Sequence, residues 1–254
     1  MGLWKLTDPK QFSEVFNTAV ETGYRHFDTA QIYGNESMLG ECIARSGVAR
    51  EEFFVTTKIH VKNFGYNQVK KSFKESLQNL QTDYVDLLLL HFPVSILRNK
   101  AWQALEEIKN EGLAKNIGVS NYTVRHLESL LKSARVKPAV NQVELHVYLQ
   151  QPELLAYCKK HEIVVEAYSP LAHGHDFKHK TLLGLAKKYD KTPAQIMLRW
   201  CIEKNLVILP KSAHPKRVQE NFEVFDFTLD DVDMKELAGL DQNIRTCWDP
   251  TYIP

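Results

Sequence analysis

Long hydrophobic runs, a surplus of one charge and paired cysteine motifs are all missing from this sequence, and each absence removes a class of protein. The longest apolar stretch near a strand-like segment, Leu87 to Leu90, falls far short of the roughly 20 residues that a membrane span needs. Lys plus Arg number 32 against 31 for Asp plus Glu, so there is no electrostatic footprint for nucleic acid or for an anionic membrane surface. Cys42, Cys158, Cys201 and Cys247 are widely spaced and form no CxxC, which favours free, reduced thiols over disulfides or a zinc site. No Pro/Gly/Ser-rich linker or low-complexity block divides the chain, and a single domain over residues 1–254 is expected. No GxGxxG follows a strand-like run, which counts against the alternative architecture, an open doubly wound sheet. Gly118-Val119-Ser120-Asn121 is not GxSxG, so nothing supports a serine nucleophile elbow. The opening MGLWKLTDPK has no signal-peptide apolar core and no Ser or Thr at position 6 for myristoylation, and a cytoplasmic address is expected.

What is present is an alternation of strand-like runs and helical periodicity. The 254 residues, 44% hydrophobic and 25% charged, are enough for one α/β barrel. Strands are expected at 24–28, 53–58, 84–91, 115–119, 139–143, 163–168 and 206–210, with a short eighth at 224–227. Between them lie amphipathic patterns such as 66–80, where Val69, Phe73, Leu77 and Leu80 share one helical face and Lys70, Lys71, Lys74 and Glu75 the other. Thr192-Pro193 reads as an N-cap followed by proline at the first helical position. Eight βα-type units are the number that closes a (β/α)8 TIM barrel.

Four chemically loaded residues fall at or just past the ends of the first three strands. They are Asp28, Tyr33, Lys58 and His91. In a parallel barrel all strand ends face the same way, and catalytic groups gather there. Counting in steps of two places Asp28, Lys58 and His91 in the inward register of their strands. Singly, each has a plainer explanation: a turn cap, a half-buried aromatic, a paired ammonium, a core histidine. Together they form a proton-transfer set. A cation lowers the pKa of a nearby phenol, so Lys58 is expected to make Tyr33 a better proton donor, with Asp28 holding Lys58 and His91 donating a hydrogen bond to a developing oxyanion. Such a set suits protonation of a carbonyl oxygen while hydride reaches carbon, and since no side chain donates hydride, a nicotinamide cofactor is implied.

In order and spacing, GYRHFDTAQIYGNE (23–36), VTTK (55–58), YVDLLLLH (84–91), IGVSNY (117–122), NQVELH (141–146), YSPL (168–171) and LPKS (209–212) resemble the aldo-keto reductase family. The resemblance runs from about Gly2 to the carboxyl end. It implies a (β/α)8 barrel and NADPH-dependent carbonyl reduction, with Asp28, Tyr33, Lys58 and His91 matching the family's catalytic tetrad. It further implies that Ser120, Asn121 and Gln142 bind the nicotinamide carboxamide and that Tyr168 stacks on its ring. Ser169 and Leu171 match contacts to the pyrophosphate. Lys211, Ser212 and Arg217 match the group that cradles the adenosine 2′-phosphate, with Glu220 and Asn221 near the adenine. Two cations and a hydroxyl suit a phosphate dianion, which favours NADPH/NADP+ over the NADH pair.

Departures from the family pattern concern the substrate side. The amino-terminal hairpin is expected to be largely absent, Phe92 stands where tryptophan is common, and the tail after Asp241 is short. Trp4, Phe92 and His91 are expected to line the substrate pocket, with Trp248 reaching it from the tail. A monomer acting on a small-molecule carbonyl substrate is expected. One competing reading is a metal-dependent hydrolase, prompted by the HxH spacing of His173 and His175 with His179 nearby, although the polar segment reads as a surface loop. Another is a barrel that binds the cofactor without turning over, against which stand four filled tetrad positions.

Overall fold

The computed structural model describes residues 1–94 and 96–253. Seven parallel strands lie in chain order, each hydrogen-bonded to the next: β1 (His26–Asp28), β2 (Phe54–Ile59), β3 (Val85–Leu90), β4 (Ala114–Ser120), β5 (Val140–Glu144), β6 (Val164–Tyr168) and β7 (Val207–Leu209). Helix α1 (Pro9–Thr22) precedes β1. One helix follows each of the first five strands: α2 (Glu36–Arg45), α3 (Tyr66–Leu80), α4 (Arg98–Asn110), α5 (Val124–Leu131) and α6 (Pro152–Lys160). Helices α7 (Lys180–Tyr189) and α8 (Pro193–Glu203) separate β6 from β7, and α9 (Pro215–Glu220) and α10 (Asp231–Ala238) complete the outer ring. This is the (β/α)8 barrel architecture expected from the alternation of patterns.

Local chemistry explains where the helices start. Asp8 caps α1 by accepting from the Gln11 amide at 2.8 Å, with Pro9 in the first turn. Thr192 caps α8 in a reciprocal box, its hydroxyl accepting from the Gln195 amide while Gln195 Oε1 accepts from the Thr192 amide at 2.9 Å. The Thr192-Pro193 signal therefore marks a helix start as expected.

The run of leucines in β3 divides between two cores because successive strand residues face opposite ways. Leu88 and Leu90 point outward into the main core between strands and helices, with Phe12, Phe16, Phe73, Trp102 and Trp200. Leu87 and Leu89 point inward and pack with Val140, Phe54 and Ala139 inside the barrel. The same parity carries the inward face from Phe54 to Lys58 and from Leu89 to His91, so β2 and β3 are apolar inward toward the floor and polar at the mouth.

The eighth stave differs from expectation. Residues 224–227 form no strand; Val224 is buried beside α8, where its carbonyl accepts from Arg199 Nη1 at 3.0 Å, and Phe225 is 63% exposed. A four-residue alternation fits a turn packed against a helix as well as it fits a strand, and here no strand edge is open to receive it. The seam between β1 and β7 is taken by residues 1–3. The Gly2 amide donates to Pro210 O at 3.0 Å, while Asp28 donates to Met1 O at 2.9 Å and accepts from the Leu3 amide at 3.0 Å.

Gly118, in β4, is closely approached by its neighbours inside the barrel. A methyl group there would meet Val140 O at 2.6 Å and Leu89 Cδ2 at 2.8 Å. Gly118→Ala is expected to destabilise the fold by about 1–3 kcal/mol through overpacking. Gly184→Ala, at an exposed helical position with open space around it, should instead stabilise by roughly 0.5–1 kcal/mol. Urea unfolding of both variants checks the contrast.

Candidate active site

The mouth of the barrel brings Asp28, Tyr33, Lys58 and His91 together. Asp28 ends β1 and Lys58 lies near the end of β2, both nearly inaccessible. The Lys58 ammonium donates to Asp28 Oδ1 at 2.5 Å, to Thr29 O at 3.0 Å and to Tyr33 Oη at 3.5 Å. Burial is the largest single influence on Lys58 and opposes its charge, yet the attraction of Asp28, then Tyr33, with that of Glu166, raises its pKa overall. Lys58 is thus a fixed cation.

Tyr33 sits on a 3₁₀ turn, Gln31–Tyr33, and Gln31 pins that turn to its surroundings. Gln31 Nε2 donates to Ser72 O and Ser76 Oγ, both at 3.1 Å, while its Oε1 accepts from the His60 amide and from Asn63 Nδ2, both at 2.9 Å. Beyond the turn, fully buried Asn35 donates to Leu3 O and Leu6 O and accepts from Thr29 Oγ1 at 2.6 Å. The pKa of Tyr33 is raised, against expectation. Lys58 does pull it down, but burial of the phenol is the larger effect. Tyr33 therefore rests fully protonated.

His91 stands edge-on to Tyr33, ring centroids 5.7 Å apart. Its Nδ1 is buried without a hydrogen-bond partner among the described residues. Burial, reinforced by Lys58 and His60, lowers its pKa to about 3, so the imidazole is neutral at physiological pH. Asn121 ties the end of β3 to that of β4: its Nδ2 donates to His91 O at 3.0 Å and to Ser120 Oγ at 3.1 Å, and its Oδ1 accepts from Tyr168 Oη at 2.7 Å. Asn121 and Ser169 adopt left-handed backbone, φ 65° and 48°, strain that gathers where β4 and β6 hand over to loops.

Gln142 joins the set from β5, but in an orientation the sequence did not disclose. Both N–H groups of its amide nitrogen are committed to carboxylates, one to Asp28 Oδ2 at 2.7 Å and one to Glu166 Oε2 at 2.8 Å. Glu166, on β6, was missed by sequence reading; the signal was a charged residue at an inward position of IVVEAY. Glu144 was also missed. Fully buried, it accepts from the Thr246 amide at 2.7 Å, from Thr246 Oγ1 at 2.6 Å, from the Cys247 amide and from His146 Nε2. Burial opposes its charge, but the donors from His146 and Thr246 outweigh burial and hold its carboxyl below the ordinary range. Glu144 thereby moors the tail beside the site.

The remaining expected residues lie in two directions. Ser169 Oγ is 3.1 Å from His173 Nε2 and 3.6 Å from Cys247 Sγ, and Leu171 packs partly on the core. Lys211 is half-buried, and burial, with a smaller contribution from the charge of Lys5, lowers its pKa. Arg217 is exposed on α9, and neither it nor Lys211 has a carboxylate partner among the described residues. Ser212 is turned to the backbone of His214, Glu220 accepts from Thr192 Oγ1 at 2.7 Å, and Asn221 is buried at the end of α9. On the other side, Phe92 meets Trp248 edge-on at 6.1 Å, while Trp4, 41% exposed, meets His173 at 5.7 Å. His173 and His175 lie on an exposed loop, and no group of three or more His, Cys, Asp or Glu side chains is arranged to hold a metal ion among the described residues.

The neutrality of His91 has a measurable consequence. An unfolded imidazole takes its proton near 6.5, whereas the folded one resists until about 3, so between those values protons bind the unfolded chain preferentially. The stability that His91 contributes is thus full above 6.5 and is lost as pH falls toward 3. His91→Gln should flatten the decline of urea-unfolding stability across that window, and the NMR signal of the His91 ring should remain that of neutral imidazole down to about pH 4.

Comparison with known proteins agrees with this geometry along the whole barrel. A family model described as the Aldo/keto reductase family matches residues 1–242. Methylglyoxal reductase DkgA of Escherichia coli O157:H7 is 42% identical, the alignment covering 98% of this chain and 91% of that protein. The crystal structure of MGS-M4, an aldo-keto reductase enzyme from a Medee basin deep-sea metagenome library, superimposes with a TM-score of 0.96 at 41% identity, covering 100% of this chain and 94% of that one. The Bombyx mori aldo-keto reductase, solved in complex with NADP, superimposes with a TM-score of 0.92 at 33% identity, covering 96% and 89%. A match that starts at the first residue and spans every strand of the barrel has one meaning: this chain belongs to the aldo/keto reductase family.

Proposed function

We propose that this protein is a cytoplasmic, NADPH-dependent reductase that converts a small aldehyde or ketone to the alcohol, with Tyr33 as proton donor. The observation that carries the reading is the contact of the Lys58 ammonium with Tyr33 Oη at 3.5 Å, with Asp28 on the other side of the same nitrogen at 2.5 Å. Tyr33 rests as a neutral phenol, ready to give up its proton. The fixed cation beside it then favours the phenolate left behind. Neutral His91, edge-on to Tyr33, directs a ring N–H toward the carbonyl oxygen and polarises it.

The donor set suits a phosphorylated dinucleotide. Among the described residues neither Lys211 nor Arg217 has a carboxylate partner, which leaves both cations to a 2′-phosphate dianion. With its amide nitrogen committed to Asp28 and Glu166, Gln142 keeps its oxygen for the amide N–H of a nicotinamide carboxamide, next to Ser120 and Asn121. Tyr168, Ser169 and Leu171 continue the line toward the pyrophosphate, and Glu220 and Asn221 extend it to the adenine. When bound there, the cofactor supplies the hydride that no side chain offers. The Bombyx mori relative, in complex with NADP, supports the assignment.

Trp4, Phe92 and Trp248 provide aromatic surface for the substrate. Methylglyoxal reductase DkgA makes short 2-oxoaldehydes the first substrates to test. Tyr33→Phe should retain NADPH binding, measured by fluorescence titration, and lose at least about a hundredfold in kcat for methylglyoxal, the contribution of a positioned general acid. Near-normal turnover would remove Tyr33 from the role. Arg217→Ala should raise KM for NADPH roughly tenfold or more, the worth of a charge-assisted contact, and leave KM for NADH unchanged. Equal losses with both cofactors would place Arg217 elsewhere.

A further inference from the structure

We propose that Glu166 is a positioning residue of the same reaction: from the floor side of the barrel it sets how strongly the Asp28–Lys58 pair acts on Tyr33. The geometry is a continuous series of polar contacts. Glu166 Oε2 accepts from Gln142 Nε2 at 2.8 Å, the same nitrogen donates to Asp28 Oδ2 at 2.7 Å, Asp28 Oδ1 holds Lys58 Nζ at 2.5 Å, and Lys58 reaches Tyr33. Strand pairing builds the first link, since Gln142 of β5 and Glu166 of β6 are register partners. Two carboxylates therefore share one amide nitrogen, and the charge on one bears on the other.

Glu166 also has a second outlook. It is only 3% exposed, yet it lines a cavity of about 320 Å³ at the barrel floor with His26, Asn116, Phe54, Leu87 and Val140. A proton can pass between Glu166 and this floor cavity without crossing the mouth, where substrate and cofactor bind. The charged and titratable groups that face it are Asp28 and His26 from β1, Lys58 from β2 and the Met1 amino group, with neutral Asn116 from β4 and Val207 from β7 completing the wall. Burial, and next the charge of Asp28, raise the Glu166 pKa to about 7; Gln142, Lys58 and the amino group pull less strongly the other way. Its charge state thus changes close to neutrality.

The sign follows from the order of charges. An ionised Glu166 adds a second negative charge beside Lys58, offsets part of the ammonium's pull on Tyr33 and leaves the phenol a weaker acid. A protonated Glu166 removes that charge, and Tyr33 gives up its proton more readily. Carbonyl reduction should accordingly slow as pH rises through the ionisation of Glu166. Because Glu166 acts at second hand through Lys58, a shift of about half a pKa unit in Tyr33 is expected, a roughly threefold change in acidity that sets the upper limit of the change in rate.

The inference rests on Tyr33 being the proton donor, and the test separates the two. At saturating NADPH and methylglyoxal, kcat is measured between about pH 5.5 and 8.5 for the wild type, Glu166→Gln and Tyr33→Phe. The wild type should fall by up to about threefold through neutrality, and Glu166→Gln, which fixes the neutral form, should carry the low-pH rate across the range with KM for NADPH unchanged. An inactive Tyr33→Phe beside a Glu166→Gln profile that keeps the wild-type step overturns this inference alone. Normal turnover in Tyr33→Phe overturns both readings. Should Glu166→Gln fail to fold, carbon-13 NMR of labelled glutamate carboxyls in Glu36→Gln, which removes the other buried glutamate of raised pKa, decides the matter. A carboxyl titrating near neutrality sustains the inference, and titration of all glutamates below about pH 5.5 overturns it.

Discussion

An ammonium group enclosed in a protein interior is tolerated only with a carboxylate against it, and the contact between Lys58 and Asp28 is the constraint on which this structure turns. Each partner is delivered by the end of a strand, so the pair dictates how β1 and β2 must align. Their register, Asp28 beside Thr56 and Lys58 two residues further along, makes the ammonium reach back across to the shorter strand. The inward leucines of β3 pack toward the floor, and the carboxylates of Asp28 and Glu166, the Thr29 carbonyl and the Tyr33 phenol surround the charge. The site is therefore part of the barrel's own polar core and not an addition at its rim.

Much of this was legible in the sequence because it depends on period and parity. The alternation that puts Leu87 and Leu89 on one face and Leu88 and Leu90 on the other also put Lys58 and His91 inside. Seven strands and the cap at Thr192 could be read the same way. The closing stave could not, because residues 1–3 are too few to show a pattern and are recognised only by the backbone atoms they meet. Residues 224–227 showed the converse, a pattern without a partner.

The site shows the same division between type and environment. Residue identity was enough to group Asp28, Tyr33, Lys58 and His91 and to expect Lys58 to act on the phenol. It was not enough to weigh that pull against burial, and burial proved the larger influence on Tyr33. Glu166 and Glu144 escaped notice because a glutamate in a strand looks like a solvent-facing residue until its neighbours are known. Their importance comes from long-range contacts, with Gln142 in one case and with Thr246 and Cys247, about a hundred residues along the chain, in the other.

The mooring of the tail carries a thermodynamic consequence for whatever enters the mouth. Glu144 holds residues 246 and 247, while Arg125 and His126 hold the carbonyl of Ile253, so the segment between them is a short closed loop and not a free end. Closing it once, during folding, removes most of the freedom that Trp248 would otherwise possess. The indole stands near Phe92 before any ligand arrives. A ligand that docked against that aromatic corner would be spared the entropic cost of gathering it, a saving worth most to a small, featureless compound with few atoms to offset such a cost.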